Sequence, residues 1–219
     1  MANGKLKAHD TYYMDGRMVV LSCSGRLFKI PYWHLKKYCP ILLHPAKHDI
    51  GSDGSSDDTA IPIDDYVSAE EFVIFLDFFY RGILHKEIPT DEWCKLLVVS
   101  SKLDCKEARA RAIDEITAKK AKVSSIDRIE LGNKYNVSQW LPEAYADAFV
   151  RGSHLTVEEG EKLGLEIAVK VLKGRDTCKK NGWDSSGDSN VTWLVKDIFP
   201  VQNSPTAGQR RRNAGRLVV

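Results

Sequence analysis

The sequence predicts an α+β fold in which a small sheet with surrounding helices is followed by an all-helical extension. Two segments rich in β-forming residues come first, one strongly apolar helix follows, and the rest of the chain is predicted to be a series of capped helices. Strands and helices that occur in separate blocks, without alternation, are typical of α+β proteins. The composition, with 43% hydrophobic and 28% charged residues, is that of a folded globular chain.

The first structured segment is predicted to be a β-hairpin. Its arms are residues 17–23 and 26–30, in which large apolar residues dominate. Ser24 and Gly25 between the arms are a two-residue turn signal. Pro31 then ends the second strand and suits the first turn of a following helix, where its missing N–H is not needed.

A short helix is predicted over residues 32–38. Tyr32, Leu35 and Tyr38 recur in it at spacings of three, which indicates a shared apolar face. These three side chains are the largest apolar candidates on that face.

Residues 47–59 are predicted to be a mobile loop, because aspartate, glycine and serine dominate them and offer little to bury. A phosphate loop is disfavoured because the aspartates would repel the anion, and a calcium loop lacks its terminal glutamate. Residues 60–63 follow as a short strand. Pro62 places that strand at a sheet edge, since proline cannot donate to a ladder.

The strongest helix prediction begins after Ser68, which forms a capping box with Glu71 and precedes a stop signal at Gly82. Apolar residues lie on one stripe of this helix and continue onto the other face: Phe72, Phe75, Leu76 and Phe79, then Val73, Ile74 and Phe78. A helix that is apolar nearly all round must be covered on most sides. We therefore expect it in the middle of the core, with its aromatic residues packed there rather than lining a pocket.

Further helices are predicted from capping signals along the second half of the chain. Their starts are Thr90, Asp104, Ser124, Ser138 and Thr156. The last of them is expected to run through Val171 and to end at Gly174, and a final short helix is expected over residues 191–199.

This pattern divides the chain into a flexible N-terminus (1–9), a sheet-containing domain (10–118), a helical extension (122–200) and a disordered basic tail (201–219). The formal net charge is +2, from 32 basic and 30 acidic residues, so no strong charge favours nucleic acid or a membrane surface as a partner. No apolar signal core and no run of about 18 apolar residues occurs. We expect a soluble intracellular protein, in the cytoplasm or the nucleus.

No pattern in the sequence predicts a catalytic, cofactor or metal site. The cysteines are odd in number and contain no C-x-x-C spacing, which favours reduced thiols: Cys23, Cys39, Cys94, Cys105 and Cys178. The histidines His34, His44 and His48 do not complete a zinc-binding set, and we expect them on helix or loop surfaces. An enzyme with an unrecognised site built from His85, Cys94 or the acidic loop remains the alternative of another class.

The order and spacing of several motifs between residues 10 and 175 resemble the BTB/POZ domain. The motifs of the first part are Asp15-Gly16, Val19-Val20-Leu21, Leu27-Phe28-Lys29-Ile30, Cys39-Pro40, Pro62-Ile63-Asp64-Asp65 and Phe79-Tyr80-Arg81-Gly82. The continuation resembles the fungal branch of that family, through Glu92-Trp93, Ser101-Lys102-Leu103, Asp127-Arg128-Ile129-Glu130-Leu131, Trp140-Leu141 and Thr156-Val157-Glu158-Glu159-Gly160.

The resemblance implies a non-enzymatic protein-interaction module without cofactors, which forms a homodimer or acts as an adaptor for partner proteins. A substrate adaptor that binds the cullin scaffold of a ubiquitin ligase is the alternative within the family. In the family, the helix after the second strand lies at the dimer interface, which by position implicates Tyr32, Leu35 and Tyr38. Pro31 and Cys39, which flank this helix, replace the usual histidine and serine of the family.

Overall fold

The computed structural model describes residues 16–43, 54–80 and 88–200. A small sheet and a majority of helical residues confirm the predicted α+β class. The chain divides into two units, and the boundary between them lies between Val123 and Ser124 in the sequence. The segment up to Val123 is called unit 1 below, and the segment from Ser124 is called unit 2.

The sheet of unit 1 contains β1 (Met18–Cys23), β2 (Arg26–Pro31) and β3 (Ile61–Pro62), in the spatial order β2-β1-β3 among the described residues. β1 and β2 form the predicted antiparallel hairpin. Ser24 and Gly25 have φ values of 49° and 72°, so both central turn residues adopt the positive φ that a type I′ hairpin turn requires.

The central strand β1 is buried on both faces. Leu21 lies opposite Phe28 of the antiparallel β2 and opposite Ile61 of the parallel β3. Val19 and Val20 point to opposite faces of the sheet and are both buried. The short strand β3 lies at an edge, as its proline predicts.

Helix α1 (Tyr32–Tyr38) follows directly on β2. Pro31 occupies its N-cap position in an extended conformation, and the Tyr32 N–H donates to the Arg17 carbonyl at 2.8 Å. This bond extends the hairpin register into the first turn of the helix. A 3-10 turn at Pro40–Leu43 follows α1.

The predicted mobile loop is ordered at its C-terminal end. The Val20 N–H of β1 donates to the Gly54 carbonyl at 2.9 Å, and Asp57–Thr59 form a 3-10 turn. Gly54 has φ 73°, and a Cβ there would lie 2.8 Å from the Val19 side chain. Mobility is therefore a wrong prediction for residues 54–59, while 44–53 lie outside the described residues.

Helix α2 (Ala69–Tyr80) begins with the predicted capping box. The Ser68 N–H donates to Glu71 Oε2 at 3.0 Å, and the Glu71 N–H donates to Ser68 Oγ at 3.2 Å. Lys102 Nζ donates to Glu71 Oε1 at 2.6 Å, which ties the start of α2 to the end of the next helix. Gly82, the predicted stop, lies outside the described residues.

The expectation that α2 lies in the core is confirmed for one stripe of the helix and wrong for the opposite face. Phe72 and Phe75 are fully buried, but 37% of Val73 and 51% of Tyr80 are exposed. The remaining large apolar side chains of the helix are half-buried: Ile74, Leu76, Phe78 and Phe79. The neighbours of α2 in unit 1 cover one stripe completely and leave the opposite face partly accessible.

Helices α3 (Thr90–Lys102) and α4 (Lys106–Ala118) pack against each other in unit 1. α3 starts at the threonine predicted as its cap, and Pro89 takes the N-cap position. Cys105, not Asp104, precedes α4, because Asp104 adopts a left-handed φ of 51° in the tight link between the helices.

Unit 2 is helical throughout its described residues. Its helices are α5 (Ser125–Lys134), α6 (Leu141–Val150), α7 (Val157–Leu163), α8 (Leu165–Asn181) and α9 (Ser189–Ile198). Ser124 Oγ accepts from the Asp127 N–H at 3.0 Å, and Thr156 Oγ1 accepts from the Glu159 N–H at 3.2 Å, which confirms both predicted caps.

In the described ranges, no helix combines the length and the apolar character needed to cross a membrane.

The predicted single helix from Thr156 to Gly174 is two helices. Gly164, with φ 74°, separates α7 from α8, and α8 continues past Gly174 to a left-handed C-cap at Gly182. Gly174 therefore does not end the helix. Its role is in packing, because a methyl group there would overlap the ring of Phe149 in α6.

Truncation of Phe75 tests the buried stripe of α2. Phe75→Ala should lower the free energy of unfolding by about 3–5 kcal/mol, because a fully buried ring leaves a cavity. Val73→Ala, on the same helix but 37% exposed, should cost less than about 1 kcal/mol. Chemical denaturation of both variants measures this difference, and equal losses would contradict the assignment of the buried stripe.

A pair of glycine substitutions tests the packing of α8 on α6. Gly174→Ala should destabilise the protein by about 1–3 kcal/mol, since the added methyl group would displace the Phe149 ring. Gly160→Ala in α7 meets no atom within 4 Å and should stabilise the protein by up to about 1 kcal/mol through helix propensity. Thermal unfolding compares the two variants. A neutral Gly174→Ala would show that α6 and α8 do not approach this closely.

Candidate functional site

Aromatic side chains of α1 and of the C-terminal half of α2 form one cluster that is partly open to solvent. We call this cluster the aromatic surface and define it by Trp33, Tyr38, Phe78, Phe79 and Tyr80. None of the five is fully buried, and Tyr80 is the most exposed, at 51%. Partly exposed aromatic residues gathered at one place distinguish this surface from an ordinary polar exterior.

Ring contacts fix the aromatic surface to the core. The ring centroids of Tyr38 and Phe79 are 4.4 Å apart, and those of Phe78 and Phe79 are 4.9 Å apart at an interplanar angle of 81°. Phe79 also contacts the buried Phe75 edge-on, with centroids 5.1 Å apart. Edge-to-face contacts of this kind are favourable beyond their apolar burial. The outer rings are therefore held in place by a buried one.

His34 lies beneath the aromatic surface, with 3% of its surface exposed. Its ring contacts Phe79 edge-on at 4.7 Å, stacks on Tyr80 at 5.0 Å and lies 4.9 Å from the ring of Tyr38. Its Nε2 atom has no hydrogen-bond partner within the described part of the chain. Burial lowers the pKa of His34, and the nearby Lys37 ammonium lowers that pKa further.

The predicted surface position of His34 is therefore wrong. The periodicity of α1 does not reveal this burial, because two of the rings that enclose His34 come from α2, more than forty residues later in the chain. His44 and His48 lie outside the described residues.

The three predicted contact residues of α1 have different environments. Tyr38 belongs to the aromatic surface, whereas half-buried Tyr32 lies apart from it, with the Arg17 guanidinium 4.5 Å from its ring centroid. Leu35 is fully buried and so has no surface to offer a partner. Residues three apart differ by about 60° around a helix. Leu35 therefore lies at the centre of the buried face, and the two tyrosines lie at its borders.

Sequence reasoning assigned Phe78, Phe79 and Tyr80 to the core and so missed most of the aromatic surface. The signal that could have identified them is the width of the apolar face of α2. A helix with so wide an apolar face must pack against other elements on two sides to be fully buried. The neighbouring elements of unit 1 bury one side completely. The opposite side of α2 therefore stays partly exposed and contributes to the aromatic surface.

The other ionisable groups of the described residues do not form a second candidate site. The described residues contain no group of three or more potential metal-ligating side chains. Burial raises the pKa of the thiols of Cys23, Cys39, Cys105 and Cys178, which makes them poor nucleophiles at neutral pH. His85, part of the alternative enzyme hypothesis, lies outside the described residues.

Unit 2 carries an open cavity of about 450 Å³ between α6 and α8. Two of its cationic side chains are engaged, since Arg151 pairs with Glu159 at 2.9 Å and Arg175 donates to the Ser153 carbonyl. Asp176 and Asp184 also line the cavity and offset the charges of Arg175 and Lys179. A cavity with balanced charges gives no indication of the ligand it would bind.

Comparison with protein-family models, with curated proteins and with solved structures found no match to this chain. The similarity to the BTB/POZ domain thus stays a prediction from motifs. The aromatic surface is the feature from which a function can be inferred.

The buried His34 makes stability depend on pH. In the unfolded chain its pKa is near 6.5, and in the folded protein that pKa is lower. Protonation therefore favours unfolding, so the contribution is fully present above about pH 6.5 and is lost as the pH falls through the folded pKa. The free energy of unfolding should decrease between about pH 7 and pH 5.

Two histidine variants isolate this effect. His34→Leu cannot be protonated and should flatten the pH dependence over that range, whereas His154→Gln, at an exposed position, should leave it as in the wild type. Denaturant titrations at several pH values measure both. An unchanged slope in His34→Leu would show that His34 is not enclosed.

Proposed function

We propose that this chain is a non-enzymatic protein-interaction module that binds partner proteins through the aromatic surface. The observation that supports the proposal is the exposure of Tyr80 and the partial exposure of its four neighbours on helices that are fixed to a buried core. The motif resemblance to the BTB/POZ domain, a family of interaction modules, favours the same function independently.

The energetics of interfaces support a docking role for these residues. Tyrosine and tryptophan are enriched among the residues that dominate binding energy, since they combine a large apolar area with a polar group. The ring contacts of Tyr38 and Tyr80 already restrict their rotamers in the free protein. Less conformational entropy is then lost when a partner binds, which leaves more of the apolar burial available as affinity.

The chemistry of the aromatic surface favours binding over catalysis. Its members are aromatic rings, and the imidazole beneath them, that of His34, is buried with its Nε2 atom away from solvent. A general acid or base must come within hydrogen-bonding distance of a substrate. His34 meets that requirement only if Tyr80, which stacks on it, moves away.

A double substitution in the aromatic surface tests the proposal. Tyr38→Ala combined with Tyr80→Ala should abolish capture of partner proteins from an extract of the source cells, because it removes two anchors of the surface. The matched control, Val157→Ala with Trp193→Ala, removes two exposed apolar side chains of unit 2 and should capture the same proteins as the wild type. Quantitative mass spectrometry of the captured proteins measures both.

Identical sets of captured proteins for the wild type and the tyrosine variant would contradict the proposal, provided that circular dichroism shows both to be folded. Light scattering on the purified wild type identifies the mode of binding. A dimer mass that falls to the monomer mass in the tyrosine variant would identify self-association, and a monomer mass throughout would identify a different protein as the partner.

A further inference from the structure

We infer that the aromatic surface binds an acidic segment of its partner, one that carries apolar side chains between carboxylates. This inference rests on the proposed function and names the chemistry of the partner. Neither the overall net charge nor the resemblance indicates such a preference.

The first support is the charge of the segment that contains α1. Residues 16–43, which form β1, β2, α1 and the following 3-10 turn, contain no aspartate or glutamate. They contain the cations Arg17, Arg26, Lys29, Lys36 and Lys37. The nearly neutral sum over the whole chain conceals this local excess of positive charge.

The second support is the position of these cations relative to the aromatic rings. Lys37 Nζ lies 4.7 Å from the ring centroid of Tyr38. Lys36 is exposed and follows Trp33 by three residues, a spacing that places both on one side of α1. Aromatic and cationic groups are therefore side by side, which fits a ligand with apolar and acidic groups side by side.

The third support is that three acidic residues near the hairpin turn and the start of α2 are already engaged. Glu70 pairs with Arg26 at 3.7 Å, and Glu71 is held by Lys102 and the cap of α2. Asp64 accepts from the Ser24 N–H at 2.7 Å in the hairpin turn. Lys36 is exposed and forms no ion pair within the described part of the chain.

Two other occupants fit the surface less well. A second copy presenting the same surface would bring the cations of both α1 helices together, and like charges across an interface are unfavourable. A single-stranded nucleic acid needs a basic groove that follows several phosphates. α1 has seven residues and is about 10 Å long, so it spans few phosphates.

The experiment uses the full chain and two fluorescein-labelled 12-residue peptides in anisotropy titrations. One peptide alternates leucine or phenylalanine with aspartate or glutamate, and its neutral twin carries asparagine and glutamine instead. The acidic peptide should bind at least about tenfold more tightly than its twin, and its affinity should fall when salt is raised from about 50 to about 300 mM.

Two charge variants locate the effect. Lys36→Gln with Lys37→Gln should weaken binding of the acidic peptide at least about threefold and leave binding of the neutral twin unchanged. The matched control, Lys106→Gln with Lys122→Gln, removes two exposed cations elsewhere in unit 1 and should bind as the wild type does.

Failure of this inference differs from failure of the proposed function. If both peptides bind equally and both are lost in the Tyr38→Ala/Tyr80→Ala variant, the surface docks proteins without an acidic preference, and the inference is wrong. If the acidic peptide binds that variant as tightly as the wild type, its site lies elsewhere and the inference is wrong, whereas the proposed function fails only if that variant still captures the same partner proteins. A fluorescein-labelled 12-mer of thymidylate that binds more tightly than the acidic peptide would also overturn the inference.

Discussion

Burial of Phe72 and Phe75 is the constraint on which the aromatic surface of unit 1 depends. These two rings have no exposed surface, and their removal from water holds α2 in place over the rest of the unit. Phe75 contacts Phe79, which in turn contacts Tyr38 of α1. This series of ring contacts thus connects a fully buried side chain to partly exposed ones. Because the inner rings cannot move without opening a cavity, the outer rings are presented in a fixed arrangement.

The same constraint explains why the aromatic surface is left exposed. A helix of twelve residues with apolar side chains on both faces can be buried on one face by a small three-stranded sheet and its neighbouring helices, but not on both. The uncovered face then carries aromatic rings that water solvates poorly, and a partner can cover them at a gain in free energy. Under the inference drawn above, the basic segment around α1 would add an electrostatic preference to that apolar attraction. Affinity would come mainly from the rings, and discrimination between partners from the charges.

How far the sequence predicts this structure depends on how local each signal is. The hairpin turn at Ser24 and the caps at Ser68 and Ser124 are set by neighbouring residues, and the structure confirms them. The burial of His34 depends on rings more than forty residues away, and the role of Gly174 depends on Phe149 in another helix. Contacts of this kind have no signature in periodicity. Of the candidate site, sequence reasoning identified α1 and Tyr38 but assigned the α2 aromatic residues to the core.

Hydrogen–deuterium exchange of the chain, alone and with a protein that it captures, tests the central claim most directly. The account predicts that the partner slows exchange in α1 and in the C-terminal half of α2, because docking there stabilises both helices against local opening. Slower exchange confined to α6 and α8, with α1 and α2 unchanged, would place the binding site at the cavity of unit 2 and contradict the account.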